Sequence, residues 1–185
     1  MRTTTTRRRY AAAAVACSTG LLLSAAVAFA AAPARGTATS GASTCLAANT
    51  QVWLGLGGGG GYAGGVAVPL EFSNVGHRTC ALNGYPGVSA YRDGFMQVGP
   101  AAVRGTQAHA VVTLAPGGTA HAVLTITDWG AVCGGPVTAD GLKVYPPGQR
   151  AAKPIDFSVQ ACAHRAVLGV GPVRAGVGVP GYITQ

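Results

Sequence analysis

Apolar and polar residues alternate along three short segments of the chain. The apolar members of these segments are Val52, Leu54 and Leu56; Val66, Val68, Leu70 and Phe72; and Ile155, Phe157 and Val159. A period of two is typical of β-strands, so the pattern predicts half-buried antiparallel strands. Pro69, in the second segment, has no amide hydrogen. Its strand is therefore predicted to lie at a sheet edge or to turn that position away from a ladder.

Turn signals separate further strand candidates. These are residues 87–92, 95–99, 110–114, 121–129, 142–145 and 166–173. Asp93-Gly94 predicts a two-residue hairpin, and Pro116-Gly117 predicts a type II turn. With 29 glycines and 11 prolines, no segment keeps a helical period over ten residues. The predicted fold class is all-β, a disulfide-bonded, Ig-like antiparallel β-sandwich preceded by a signal peptide.

Residues 1–34 have the three parts of a secretory signal peptide. The start is basic, residues 10–34 carry no charge, and small residues end the run. We expect cleavage between residues 30 and 34, which makes the protein secreted or extracellular. The uncharged run is also long enough for an uncleaved membrane anchor, which is the alternative. Arg7-Arg8-Arg9 resembles a loose twin-arginine signal, so the export route stays open between the general secretory and twin-arginine routes.

The rest of the chain is predicted to form a flexible leader, residues 35–44, and a single domain, residues 45–185. Loss of the signal removes four arginines, so the net charge falls from +8 to +4. The nine remaining basic residues are scattered along the sequence. A nucleic-acid surface would gather them on one face, so we predict no nucleic-acid partner. The charge supports only weak attraction to an anionic cell wall.

Four cysteines remain after the signal: Cys45, Cys80, Cys133 and Cys162. An even number in an exported chain predicts two disulfides, and four cysteines allow three connectivities. If the strand after Cys45 is followed by residues 66–74 running back beside it, Cys45 and Cys80 reach the same sheet edge. A hairpin of residues 142–145 and 155–160 likewise returns Cys162 toward Cys133. Strand order therefore favours the pairs Cys45–Cys80 and Cys133–Cys162.

Four histidines lie in the mature chain: His77, His109, His121 and His164. None lies two or four residues from another, and the cysteines are assigned to disulfides, so a zinc or copper site lacks ligands at recognisable spacing. We predict no metal and no cofactor. His109 and His121 flank the Pro116-Gly117 turn at similar distances, so they are the one histidine pair that strand pairing can bring together.

The sequence offers no catalytic pattern. Asp93 and Asp140 precede glycines and are interpreted as turn residues, and Asp156 is placed on an outward strand face. A glycosidase needs two carboxylates within about 5–10 Å, and the spacing indicates no such pair. Residues 55–60 match GxGxxG formally, but a strand follows where a dinucleotide site needs a helix. We therefore predict no enzyme and no catalytic residue.

Several phrases in order resemble a known family. They are PLEFSN, TCALNGYPGV, VTLAPGGTAHAVL and LKVYPPG, together with the third and fourth cysteines. The chain is similar over about residues 45–172 to the secreted actinobacterial domain of unknown function 4232. The resemblance implies a disulfide-bonded β-sandwich, often exported or membrane-tethered, with no established activity or catalytic residues. Glu71 departs from the pattern, since an apolar residue is commoner there.

These observations favour a secreted or envelope-associated, non-catalytic binding module of the cell surface or wall. The partner is unknown; a cell-wall polymer and an extracellular protein both fit, and membrane contact is expected only if the signal stays uncleaved. The alternative is a hydrolase or metal-dependent enzyme whose site is assembled only by the fold. A third hypothesis is an envelope-stabilising domain that binds no ligand.

Overall fold

A computed structural model of the chain describes residues 41–55 and 59–178. The predicted signal peptide and the leader up to residue 40 lie outside the described residues. Pairing begins before the first cysteine: the Ala81 N–H donates to the Ser43 carbonyl, and the Cys45 N–H donates to the Ala81 carbonyl. Residues 43 and 44, assigned to the leader by sequence, therefore contact the domain.

The described residues form strands and two short 3-10 turns, Ala47–Asn49 and Trp129–Ala131. The strands are β1 (Thr50–Leu54), β2 (Gly60–Tyr62), β3 (Gly65–Asn74), β4 (Cys80–Asn83), β5 (Gly87–Arg92), β6 (Met96–Gln97), β7 (Val103–Arg104), β8 (Val111–Leu114), β9 (Thr119–Thr127), β10 (Val137–Tyr145), β11 (Lys153–Ala161), β12 (Leu168–Val170) and β13 (Arg174–Ala175). The predicted all-β fold class is confirmed. In the described part of the chain, no helix is long and apolar enough to cross a membrane.

The larger sheet has the strand order β1-β3-β9-β12-β7, with β2 also paired to β3 and β13 to β9. The smaller sheet has the order β11-β10-β5-β6, and β4 and β8 form a separate pair. The ladders are antiparallel except that between β12 and β7. Leu70 and Phe72 of the larger sheet and Leu142 and Val144 of the smaller sheet are fully buried in one core cluster.

Strand β3 is buried on both faces, which the sequence did not predict. It lies at the centre of the larger sheet, with β1 and β2 on one side and β9 on the other. Pro69 lies opposite Val123, and its carbonyl accepts a hydrogen bond from the Gly55 N–H at 2.9 Å. The Pro69 nitrogen faces the side of β3 on which β1 and β2 lie. On that side β1 pairs with residues 70–74 and β2 pairs with residues 65–67, so Pro69 lies between the two paired segments. The edge-strand alternative for Pro69 is wrong, since Pro69 lies in the ladder between β3 and β9.

Two turn predictions are changed in the smaller sheet. Arg92 pairs with Met96, so the hairpin at Asp93-Gly94 has three residues in its turn instead of two. Asp140 lies within β10 at an irregularity in its pairing with β11, not in a turn. Its carboxylate accepts a hydrogen bond from the Asp93 N–H at 2.9 Å. A β-bulge at this point explains how Asp140-Gly141, a sequence typical of turns, lies within a strand that continues on both sides of it.

The turn at Pro116-Gly117 has the predicted geometry but a different role. The Gly118 N–H donates to the Ala115 carbonyl at 2.8 Å, and Gly117 has a φ of 78°, as a type II turn requires. However, β8 pairs with β4 and β9 pairs with β3, so the turn carries the chain between sheets. Hairpin pairing across this turn, which could have brought His109 and His121 together, is therefore not formed.

Both disulfides have the connectivity that strand order favoured, Cys45–Cys80 and Cys133–Cys162. The first joins Cys45, two residues before the first 3-10 turn, to the first residue of β4, and both its cysteines are buried. After β4, Gly84 adopts a φ of 93° and the chain turns into β5. The stretch from Cys80 to Gly87 is thus a structural link between two strands.

Candidate functional site

Two connections meet at one end of the domain, and we call them the loop end: residues 128–136, between β9 and β10, and residues 162–167, between β11 and β12. The Cys133–Cys162 disulfide joins them, with a Cα–Cα distance of 6.0 Å. Cys162 is buried, whereas Cys133 is only half-buried. The cross-link therefore fixes one connection against the other close to the protein surface.

Backbone hydrogen bonds hold the first connection in place. The Asp128 N–H donates to the carbonyl of Gly64, in the turn between β2 and β3, at 2.8 Å. The Trp129 carbonyl then accepts from the N–H groups of Val132 and Cys133, both at 2.8 Å. These bonds satisfy backbone groups that a short turn would otherwise leave unpaired. Trp129 is thus presented by a fixed turn.

A slot of about 250 Å³ lies beside Trp129. Val66 and Ile126 of the larger sheet form one wall, and Phe157 and Val159 of β11 form the other. Because β11 is the last strand of its sheet, the slot opens at an edge of the sandwich. The Trp129 side chain is 38% exposed at this opening.

Polar groups around the slot are available for a ligand. Among the described residues, the Asp128 carboxylate, the Trp129 indole N–H and the Ser158 hydroxyl have no hydrogen-bond partner. An aromatic ring with free donors and acceptors beside it can hold a flat apolar face and fix its polar edge.

A shallow groove of about 630 Å³ lies at the same connection and is lined by residues 130–135 and 163–165. His164 and Arg165 line it and are exposed. Of the described residues that line the groove, none is acidic. The backbone N–H groups of Gly134 and Gly135 also lie here, without a partner among the described residues. The groove therefore presents donors and positive charge without a compensating carboxylate.

A second group of polar residues lies elsewhere, on the outer face of the larger sheet. Glu71 of β3 and His121 of β9 are register partners, and only 3% and 4% of their surfaces are exposed. Residues 174–178, which we call the C-terminal strap, cover them. The Glu71 Oε1 accepts from the Gly178 N–H at 2.8 Å, and the His121 Nδ1 lies 3.1 Å from the Gly176 carbonyl. A carbonyl only accepts, so this bond requires the hydrogen on Nδ1.

The remaining polar atoms of this pair have no partner. The Glu71 Oε2 and the His121 Nε2 are buried and accept or donate no hydrogen bond within the described ranges. A carboxylate beside an imidazole is the kind of pair that acid–base catalysis uses. In this structure the backbone of the C-terminal strap closes it, so a substrate cannot reach either group without displacing that backbone.

The two histidines singled out by the sequence lie in different surroundings. His121 is buried beneath the strap, while His109 is exposed, with its Nδ1 2.9 Å from the Asn83 Oδ1 and its ring edge-on to Tyr85. Within residues 41–55 and 59–178, no group of three or more metal-ligating side chains converges. Asp156 lies on an exposed strand position, as the alternation predicted.

We expect the oxidised protein to retain no stoichiometric zinc or copper after dialysis, because His109 and His121 have separate hydrogen-bond partners and no third ligand joins either. Metal analysis by mass spectrometry checks this result. A bound metal that survives dialysis would contradict it if the metal is lost in the double variant His109→Ala/His121→Ala and kept in the control His77→Ala/His164→Ala.

Sequence reasoning missed Trp129, Asp128, His164 and Arg165 as candidate site residues. Two local signals were available in the sequence. The polar segment TDWG precedes the glycine-rich stretch around Cys133, and the basic residues His164 and Arg165 follow Cys162. Cysteines that hold two loops together can mark an end of a β-sandwich where loops carry function.

Comparison with known proteins gives one result. Residues 45–174 match the model of a domain of unknown function, DUF4232. No curated protein and no solved structure matches the chain. The matched residues include all four disulfide-bonded cysteines and most of the loop-end and outer-face residues described above, and they exceed half of the chain. The chain belongs to the DUF4232 family.

Proposed function

We propose that this protein is a non-catalytic binding module of the cell envelope, and that it contacts a cell-wall polymer through its loop end. The observation that carries the proposal is Trp129, a large aromatic side chain left 38% exposed on a turn that a disulfide and three backbone hydrogen bonds hold in place. Rigid presentation lowers the entropy lost on binding. An exposed aromatic beside unpartnered polar groups is a recurrent feature of binding surfaces.

The disulfides and the N-terminal sequence support an extracellular location. Two disulfides persist in oxidising compartments, and the uncharged run near the N-terminus is typical of a secretory signal. The mature charge of +4 attracts the domain weakly to an anionic wall. These features support export and an envelope location together.

The enzyme alternative has one candidate pair, Glu71 and His121. Both side chains are more than nine-tenths buried, and the C-terminal strap is hydrogen-bonded to Oε1 of Glu71 and Nδ1 of His121. Catalysis needs the reacting group within hydrogen-bond reach of a positioned acid or base. The loop end is open and the Glu71–His121 pair is closed, which supports binding over catalysis.

Co-sedimentation with insoluble cell-wall material tests the proposal. We expect the oxidised protein to sediment with the wall, and Trp129→Ala to weaken the interaction about tenfold, the scale of a lost aromatic anchor. Phe95→Ala is the matched control, since Phe95 is 75% exposed on the β5–β6 turn. Failure of the unaltered protein to sediment, or equal loss in both variants, would refute the proposal. The thermal unfolding midpoints of both variants should equal that of the unaltered protein, so that a loss of binding does not reflect unfolding.

A further inference from the structure

The slot beside Trp129 has the size and chemistry of a site for one sugar ring. Its volume of about 250 Å³ is below the usual range for a drug-sized ligand, so it suits a single ring of a longer chain. A pyranose presents an apolar C–H face and a rim of hydroxyls. Trp129 and Phe157 offer aromatic surface, and Asp128 and Ser158 offer partners for hydroxyls.

The groove beyond Trp129 has the chemistry of an anion site. Arg165 carries a planar guanidinium whose donors match a carboxylate or phosphate in pairs. His164 and the unpartnered N–H groups of Gly134 and Gly135 add donors in the same groove. Because no acidic residue is among its described lining, no carboxylate of the groove itself repels an anion there.

The two regions are continuous along the chain. Trp129 lines the slot and Gly130 lines the groove, so the boundary between them is one peptide bond. We expect a polymer that places a ring on Trp129 to extend along this connection toward the groove that Gly130 lines. The Cys133–Cys162 disulfide keeps the groove's two connections together during binding.

Resting on the binding function proposed above, we infer that the loop end recognises an anionic polysaccharide, with a sugar ring in the Trp129 slot and an acidic substituent in the His164–Arg165 groove. The inference names the ligand class by its two chemistries, a stacked ring and an adjacent carboxylate or phosphate. A neutral glycan would leave the groove unused, and a polyanion without a ring would leave the slot unused.

Affinity electrophoresis through gels that contain polygalacturonate, dextran sulfate or neutral dextran tests the inference. We expect polygalacturonate to retard the protein and neutral dextran to have little effect. Added salt should weaken the interaction, because exposed charges are screened. Arg165→Gln should weaken binding to polygalacturonate about tenfold, the scale of a lost charge-assisted bond. Arg150→Gln, at another exposed arginine, is the matched control.

Trp129→Ala separates a ring site from simple charge attraction. We expect it to weaken binding to polygalacturonate at low and high salt alike, because stacking does not depend on ionic screening. Equal retardation by dextran and polygalacturonate would overturn the inference, as would equal effects of Arg165→Gln and Arg150→Gln. A third outcome would also overturn the inference: dextran sulfate retards both the unaltered protein and Trp129→Ala, while polygalacturonate retards neither. The groove would then bind polyanions by charge alone.

Failure of this inference is distinguishable from failure of the proposed function. If the protein sediments with the wall and loses that binding in Trp129→Ala, but Arg165→Gln changes nothing, the binding function stands and the anionic ligand class is wrong. If the protein does not sediment with the wall at all, the proposed function is wrong, and the inference that rests on it falls as well.

Discussion

Replacing Cys80 with serine should lower the free energy of unfolding by about 2–5 kcal/mol. The Cys45–Cys80 disulfide joins residues 35 apart in sequence, and a loop of that length contributes roughly 4 kcal/mol in the chain-entropy account. Both cysteines are buried, so the substitution also leaves a hydroxyl in the core. Cys45→Ser should cost a similar amount, because it breaks the same bond.

Urea unfolding of the two single variants and the double variant measures this effect. We expect the losses not to add, since the second substitution finds no bond left to break. Thr79→Ser is the control, because Thr79 is exposed beside Cys80 and its loss of a methyl group should be nearly neutral. Thiol titration of the unfolded, oxidised protein should find no free thiol in the mature chain. A free thiol at Cys80 would contradict the structural role.

The longer strands and the disulfides could be predicted because their signals are local or follow from neighbouring strands, whereas β2, β4, β7 and β13 were not predicted. Alternation marks β1, β3 and β11, and turn residues separate the others. Strand β3 runs antiparallel to β1, so that Thr50, at the start of β1, lies opposite Asn74, at the end of β3. Cys45 precedes Thr50 and Cys80 follows Asn74, so both cysteines lie at the same end of the sheet. The β10–β11 ladder does the same for Cys133 and Cys162, since Val137 pairs with Ala161.

The second buried face of β3 could not be predicted by the same reasoning. Alternation assigns Glu71 to the solvent side, and it would lie there if the sheet had one covered face. The C-terminal strap reaches it from 107 residues away in sequence, through the Gly178 N–H. No periodicity within β3 carries information about a segment so distant. His121 is buried for the same reason, by a contact with Gly176.

The loop end was missed because its parts are distant in sequence and unremarkable alone. Trp129 and Arg165 lie on different connections, and a single tryptophan or arginine is ordinarily a packed or solvated residue. Only the packing of the two sheets brings the end of β9 near β11 at the slot, and only the fold places residues 130–135 and 163–165 around one groove. The Cys133–Cys162 bond was predicted as a structural link, and its position beside the groove adds a role in fixing a site.

Asn74 links three backbone segments, and Asn74→Ala should destabilise the protein by about 2–4 kcal/mol. Asn74 is 1% exposed, and its Nδ2 donates to the carbonyls of Arg78 and Leu114 at 2.8 and 3.0 Å. Its Oδ1 accepts from the Gly76 N–H at 3.0 Å. Alanine removes these three hydrogen bonds, including the buried one to the Leu114 carbonyl. Asn49→Ala, at an exposed asparagine, should change stability little.

Asn74→Asp provides a sharper test, because it keeps the acceptor for Gly76 and replaces only the donor. The new oxygen would face two carbonyls, which disfavours the charged carboxylate and raises the pKa of the introduced carboxyl above about 3.9, its unfolded value. A group with a raised folded pKa favours the native state only while it is protonated. The penalty relative to the unaltered protein should therefore be small below about pH 4 and grow as the pH rises toward 7. Urea unfolding of both proteins across that range measures the difference. A penalty independent of pH would show that the Nδ2 hydrogen bonds to Arg78 and Leu114 do not carry the effect.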